Sequence, residues 1–148
     1  MSKSASAIPH SALRIPHLFG VVLAGGRGTR FWPRSRRRQA KQVLNIVGTG
    51  TMIQQTLERL RPLIPPERTW VITNEHLREA IVRQLPEVPP AQVIAEPAQR
   101  NTAPAIGLAA HLIAARAGRE ALMGVFPSDH VIARPGLFRK VLTVAARG

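Results

Sequence analysis

The 148-residue chain contains no cysteine, and only 4% of it is aromatic. Without thiols there is neither a disulfide framework nor a thiolate metal site, and a reducing, cytoplasmic setting fits. With so few rings the core must be packed mainly from Ala, Val, Ile and Leu, and a surface that stacks bases on interleaved aromatics is disfavoured. No apolar run reaches the roughly 18 residues of a membrane span, and the N-terminal segment lacks the apolar stretch of a secretion signal. Acids are scarce as well: Asp129 is the single aspartate among eight acidic residues.

What is abundant is positive charge. Twenty-one Lys and Arg give a formal net charge of +13, which calls for an anionic partner: a nucleic acid, a membrane surface or a phosphorylated small molecule. Distribution decides among these. Seven of the basic residues fall between Arg27 and Lys41, a local cluster such as a site would have. The others, including Arg78, Arg83 and Arg116, are scattered singly as on solvated helix faces.

The length suits one domain. Residues 1–18, rich in Ser and Ala with Pro9 and Pro16 and lacking any period, predict a mobile leader; the domain is expected over 19–148. Within it "FGVVLA" (19–24) reads as a buried strand. Thr51 is a plausible N-cap for a helix carrying Ile53, Leu57, Leu60 and Ile64 on one side. "TWVIT" (69–73) predicts a second strand, and Asn74 can cap a helix bearing Leu77, Ala80, Ile81 and Leu85. "QVIAE" (92–96) predicts a third strand. After it comes a helix capped by Thr102, with Pro104 in its first turn, where a missing N–H does no harm. Apolar residues on two sides of that helix (Ile106, Ala109, Ala110, Ile113 and Ala117; Leu108 and Leu112) predict that it is well buried. "ALMGVF" (121–126) predicts a fourth strand, and Leu137, Val141 and Val144 a last helix. No internal repeat is visible.

Strands alternating with helices predict an α/β fold: a Rossmann-like, doubly wound, mostly parallel sheet with helices on both faces. In the order 3-2-1-4 the chain reverses direction between its first and fourth strands, and ligands bind at that reversal. The loop after Ala24 and the loop after Phe126 would then lie side by side.

Both loops carry candidate chemistry. Gly25, Gly26 and Gly28 directly follow a strand and let backbone N–H groups approach an anion, because no Cβ intervenes; an ordinary tight turn is the plainer alternative. Neither common phosphate motif fits, since G-x-G-x-x-G would need glycine at Phe31 and no G-x-x-x-x-G-K-[ST] can be written. Between Arg30 and Lys41, Pro33 rules out a helix interior, leaving a long basic loop suited to a polyphosphate; the plainer alternative is a disordered basic loop for nucleic acid or solubility, to which Arg36, Arg37 and Arg38 are conceded. In "FPSDHV", Asp129 could bind a Mg²⁺ ion whose other ligands are waters and phosphates, or serve as a turn or cap residue. In "EPAQRNTAP", Glu96, Arg100, Asn101 and Thr102 bring donors and acceptors to a helix N-terminus, a combination suited to a nucleoside or phosphate.

"LAGGRGTRFWPRSRRRQAKQ", "EPAQRNTAPAI" and "FPSDHVI", in that order, closely resemble the signature segments of the mannose-1-phosphate guanylyltransferases, or GDP-mannose pyrophosphorylases, within the sugar nucleotidyltransferases. "TMIQQTLERL" and "WVITNE" resemble that family's intervening segments, so the likeness covers about residues 19–132. The resemblance implies GTP and mannose 1-phosphate as substrates, GDP-mannose and pyrophosphate as products, and Mg²⁺ as cofactor. It implies that Gly25, Gly26, Gly28 and Thr29 hold the triphosphate, that Arg30 and Lys41 are catalytic cations, and that Asp129 is the metal ligand. Leu23, Ala24 and the "RNTAP" segment would lie along guanine and ribose.

Two departures stand out. Ala40 replaces the proline that usually precedes the Lys-Gln pair, and family enzymes run well beyond 148 residues, so the expectation is a nucleotide-binding part truncated at its C-terminus. The alternatives are a nucleotide-binding module without turnover, a relative using another nucleoside triphosphate or sugar 1-phosphate, and a basic nucleic-acid-binding domain, which the missing aromatics disfavour. No membrane partner is expected, and homo-oligomerisation is left open.

Overall fold

The computed structural model describes residues 15–25, 50–98 and 101–147. Four strands and four α-helices alternate along it: β1 (Leu18–Leu23), α1 (Met52–Leu60), β2 (Thr69–Asn74), α2 (Glu75–Gln84), β3 (Val93–Glu96), α3 (Thr102–Ala117), β4 (Leu122–Pro127) and α4 (Pro135–Ala145). The strands form one sheet in the order β3-β2-β1-β4, every pair parallel. This is the doubly wound α/β arrangement expected from the alternation.

Handedness explains where the helices lie. Right-handed crossovers running from β1 to β2 to β3 put α1 and α2 on one face. The crossover from β3 back past β1 to β4 runs the other way and puts α3 on the opposite face. Two apolar clusters result. Leu18, Val22, Ala24 and Val71 pack with α1, α2 and, through Phe138 and Leu142, α4. Phe19, Val21, Trp70 and Ile72 pack with Ala105, Ala109 and Ile113 of α3. The period-2 alternation along β1 thus feeds two cores, which is why that strand is apolar on both sides.

Local signals set the helix ends. Thr51 caps α1 in a full capping box with Gln54, and Asn74 caps α2, its side chain accepting from the Leu77 amide. Helix α1 stops at Leu60, earlier than its apolar period implies; Ile64 lies past the end and is still buried. Register places Gly20 of β1 opposite Gly124 of β4. A Cβ on Gly124 would stand 2.7 Å from the Phe126 ring, so the bare backbone is what gives that ring its place.

Three expectations need correction. The N-cap of α3 is Asn101; Thr102 is already helical. Nor is α3 well buried: Ala105, Ala109 and Ile113 are, whereas Ala110 and Ala117 are exposed, because this helix meets the sheet along a single stripe. Finally, part of the stretch assigned to the leader belongs to the fold, since β1 begins at Leu18 and Ile15 is buried, its amide bonded to the Leu63 carbonyl. Residues 1–14 lie outside the described residues.

Candidate active site

Because all four strands run the same way, their carboxyl ends share one edge of the sheet. Along that edge stand Glu96, Asn74, Leu23 to Gly25, and Ser128 with Asp129, in strand order. The strands β3 and β4 that lead to Glu96 and Asp129 are three inter-strand spacings apart, about 14 Å.

The exit of β1 is held by its neighbours on both sides. The Ala24 amide donates to the Ile72 carbonyl at 2.8 Å, and the Ser128 amide donates to the Leu23 carbonyl at 3.1 Å. The buried Thr73 hydroxyl donates to the Ala24 carbonyl at 3.2 Å. Asn74, besides capping α2, donates from Nδ2 to the Gly25 carbonyl at 3.4 Å. The chain therefore enters the glycine-rich stretch from a fixed point at the reversal of strand order. Gly25 is the last described residue there; Gly26, Gly28, Thr29, Arg30 and Lys41 lie outside the described residues, as do Arg36, Arg37 and Arg38.

Ala24 itself has no exposed surface, sits in the apolar core, and has both its amide and its carbonyl bonded within the fold. It cannot lie along a base as the sequence suggested. Its place is structural, fixing where Gly25 begins. Leu23 remains partly exposed.

On the β4 side, Asp129 follows Ser128 at the sheet's reversal point. Ser128 is buried, and its hydroxyl has no hydrogen-bond partner. His130 is exposed, and its carbonyl accepts from Nη2 of Arg59 at 3.4 Å. Among the described residues no cluster of three or more His, Asp or Glu could hold a metal. One carboxylate beside an unsatisfied hydroxyl is a hard-oxygen set, and it fits Mg²⁺, which keeps several waters and takes one or two carboxylates plus phosphate oxygens.

At the far end, burial pushes the Glu96 carboxyl above its ordinary value. Asn101 has φ 68° and ψ −171°, a backbone region that is rarely occupied by anything except glycine and costs about 1–3 kcal/mol. Its side chain makes no capping bond, and the first turn of α3 carries no acid. The positive end of a 16-residue helix is thus left without a side-chain cap. Asn101 and Thr102 are both exposed there; Arg100 lies outside the described residues.

Thr73, Asn74 in its second role, and Ser128 are the residues that sequence reading missed. The one available signal was a hydroxyl at the end of the apolar run "TWVIT", which burial makes costly unless it is bonded.

A glycine-rich strand exit beside an acidic loop, at the reversal of a parallel sheet, is a nucleotide-site geometry, and the nucleotidyl transferase profile matches residues 19–147. The chain belongs to the nucleotidyl transferase family. Within this family it is 38% identical over 144 residues to the mannose-1-phosphate guanylyltransferase of Sinorhizobium fredii, covering 93% of this chain and 28% of the relative. It is 44% identical over 128 residues to the xanthan biosynthesis protein XanB of Xanthomonas campestris, covering 85% and 27%. A solved structure, named as a mannose-1-phosphate geranyltransferase from Thermus thermophilus, superposes with a TM-score of 0.74 at 36% identity, covering 86% of this chain and 37% of that one. The chain therefore spans little more than a quarter of these curated relatives' length. Among the described residues, no helix is long and apolar enough to cross a membrane.

Proposed function

We propose that residues 19–148 form the nucleotide-binding part of a mannose-1-phosphate guanylyltransferase. The reaction moves a guanylyl group from GTP to mannose 1-phosphate. A phosphate oxygen of the sugar phosphate attacks the α-phosphorus, the bond to the bridging oxygen breaks, and pyrophosphate leaves with that electron pair. The nucleophile is already ionised, so no side-chain base is required. Protein residues instead align two anions and offset the charge that builds at the α-phosphate.

The observation that carries this reading is the bond between the Ser128 amide and the Leu23 carbonyl, which brings the glycine-rich exit of β1 and the Asp129 loop together. The mannose-1-phosphate guanylyltransferases among its relatives suggest the sugar and the nucleotide. In this reading backbone amides of Gly25, Gly26, Gly28 and Thr29 hold the triphosphate, while Arg30 and Lys41 neutralise it. Glu96, Arg100, Asn101 and Thr102 face the nucleoside across the sheet edge, with Leu23 beside them. Asp129 would hold Mg²⁺, with Ser128 beside it. When bound, the ion offsets negative charge on the phosphate chain. A cytoplasmic location follows from drawing on soluble GTP and sugar phosphate.

Calorimetric titration of the 148-residue chain with GTP and Mg²⁺ tests the site. Binding is expected, and Lys41→Ala and Asp129→Ala should each weaken it about tenfold or more. Unchanged affinity in both variants would show that the site is wrong. Chromatographic detection of GDP-mannose after mannose 1-phosphate is added to the same samples separates turnover from binding alone.

A further inference from the structure

We infer that Arg59 is a positioning residue for the loop that carries Asp129, tying helix α1 to the peptide unit that follows the carboxylate. The inference rests on the reading of Asp129 as the metal ligand. Three elements meet at this guanidinium. Nη2 donates to the Thr56 hydroxyl of α1 at 3.1 Å and to the His130 carbonyl at 3.4 Å. The guanidinium carbon lies 5.8 Å from the centre of the Phe138 ring of α4. That ring packs edge-on against Phe126 of β4, centroids 6.2 Å apart, so the aromatic platform is itself attached to the strand that leads into the loop.

Asp129 thus lies between two tethers. On one side the Ser128 amide is bonded to β1; on the other the His130 carbonyl is bonded to Arg59. Release of either lets the intervening peptide shift, and a carboxylate on a free loop samples positions that a fixed ligand does not.

A role in solubility, or as a cation at the C-terminal end of α1, does not account for this arrangement. Either would be served by an exposed guanidinium. Here Nε is buried without a partner, no carboxylate stands within ion-pair distance among the described residues, and burial lowers the guanidinium's pKa from its ordinary value. The Thr56 hydroxyl is committed too: it donates to the Met52 carbonyl at 2.9 Å while accepting from Arg59. It therefore fixes the guanidinium in one direction, toward the loop.

The test is a Mg²⁺ titration of the 148-residue chain at fixed GTP, with metal-free GTP binding and thermal midpoint measured alongside. Arg59→Met keeps an unbranched stem against Phe138 and removes the donors. It is expected to raise the Mg²⁺ concentration at half-saturation about tenfold while metal-free GTP affinity stays within about twofold; loss of packing alone would not produce that split. Wild-type metal dependence in Arg59→Met would overturn the inference. Should that variant fail to fold, Arg59→Lys keeps charge and stem but lacks the planar fork, and is expected to raise half-saturation roughly threefold; no change there overturns it equally. Asp129→Asn separates the two levels. If it leaves metal dependence intact, the assignment of Asp129 falls and this inference with it, whereas a loss in Asp129→Asn with none in the Arg59 variants refutes only the role of Arg59.

Discussion

The Thr73 hydroxyl donates to the Ala24 carbonyl, 3.2 Å away and 49 residues earlier in the chain, and both residues are wholly buried. This bond fixes the exit of β1 to the end of β2 at the point where the glycine-rich stretch begins. Thr73→Val keeps the shape and leaves that carbonyl unsatisfied. Expected is a loss of about 1–3 kcal/mol in urea unfolding, with Thr73→Ser close to wild type. A Thr73→Val chain as stable as wild type would show that the carbonyl finds another partner.

Asn74 performs two tasks that one substitution can separate. Its Oδ1 caps α2 at Leu77, and its Nδ2 donates to the Gly25 carbonyl. Serine caps about as well as asparagine but has no second donor to reach Gly25. Asn74→Ser should hold stability within about 0.5 kcal/mol while weakening GTP binding severalfold. Asn74→Ala should lose both, with about 0.5–2 kcal/mol of stability. Equal GTP affinity in all three proteins would mean that Gly25 needs no such anchor.

Glu96 makes stability depend on pH in a definite direction. Burial raises its carboxyl pKa in the fold, so between the ordinary carboxylate value and the raised one the folded state binds more protons than the unfolded state. Its contribution is fully present below the unfolded value and is lost as pH rises through the folded one. Glu96→Gln, which stays neutral, should gain on wild type across that interval and hold a constant advantage above it, as urea midpoints between about pH 4 and 7 would show. Because the group is only partly buried the effect is small. An advantage that shrinks as pH rises would contradict the assigned shift.

Gly124 tests the packing beneath the site. With a Cβ only 2.7 Å from the Phe126 ring, Gly124→Ala forces the ring to move and should cost about 1–3 kcal/mol. Because Phe126 supports Phe138, the same variant should weaken the bracing around Arg59. A thermal midpoint equal to wild type would show that the ring has room.

Much of the architecture is written locally. The runs "FGVVLA", "TWVIT", "QVIAE" and "ALMGVF" are apolar and short, and each falls on an observed strand within one or two residues. Thr51 and Asn74 cap the helices they precede, because a side-chain oxygen three residues before a free amide is a local geometry. Alternation of strands and helices is enough to imply a parallel sheet, and the common order 3-2-1-4, once assumed, brings the loops of Gly25 and Asp129 together. With no cysteine, none of these 148 residues can supply a thiolate.

What periodicity reports is which residues are apolar, not which faces will find a partner. Leu137, Val141 and Val144 marked α4 correctly, yet they face outward, and Phe138, Leu142 and Ala146 meet the core instead. Helix α3 looked apolar on two sides and is buried along one stripe, because strand order leaves it on its face of the sheet as the packing helix for that cluster. The contacts that shape the site, Thr73 to Ala24, Asn74 to Gly25 and Arg59 to His130, join residues 49, 49 and 71 positions apart. They exist because β1 lies between β2 and β4. The sequence determined the elements and the inventory of cations, glycines and a lone aspartate; only tertiary structure decided which polar side chains hold the two loops in place, since hydrogen bonds between distant segments depend on strand order and register rather than on local pattern.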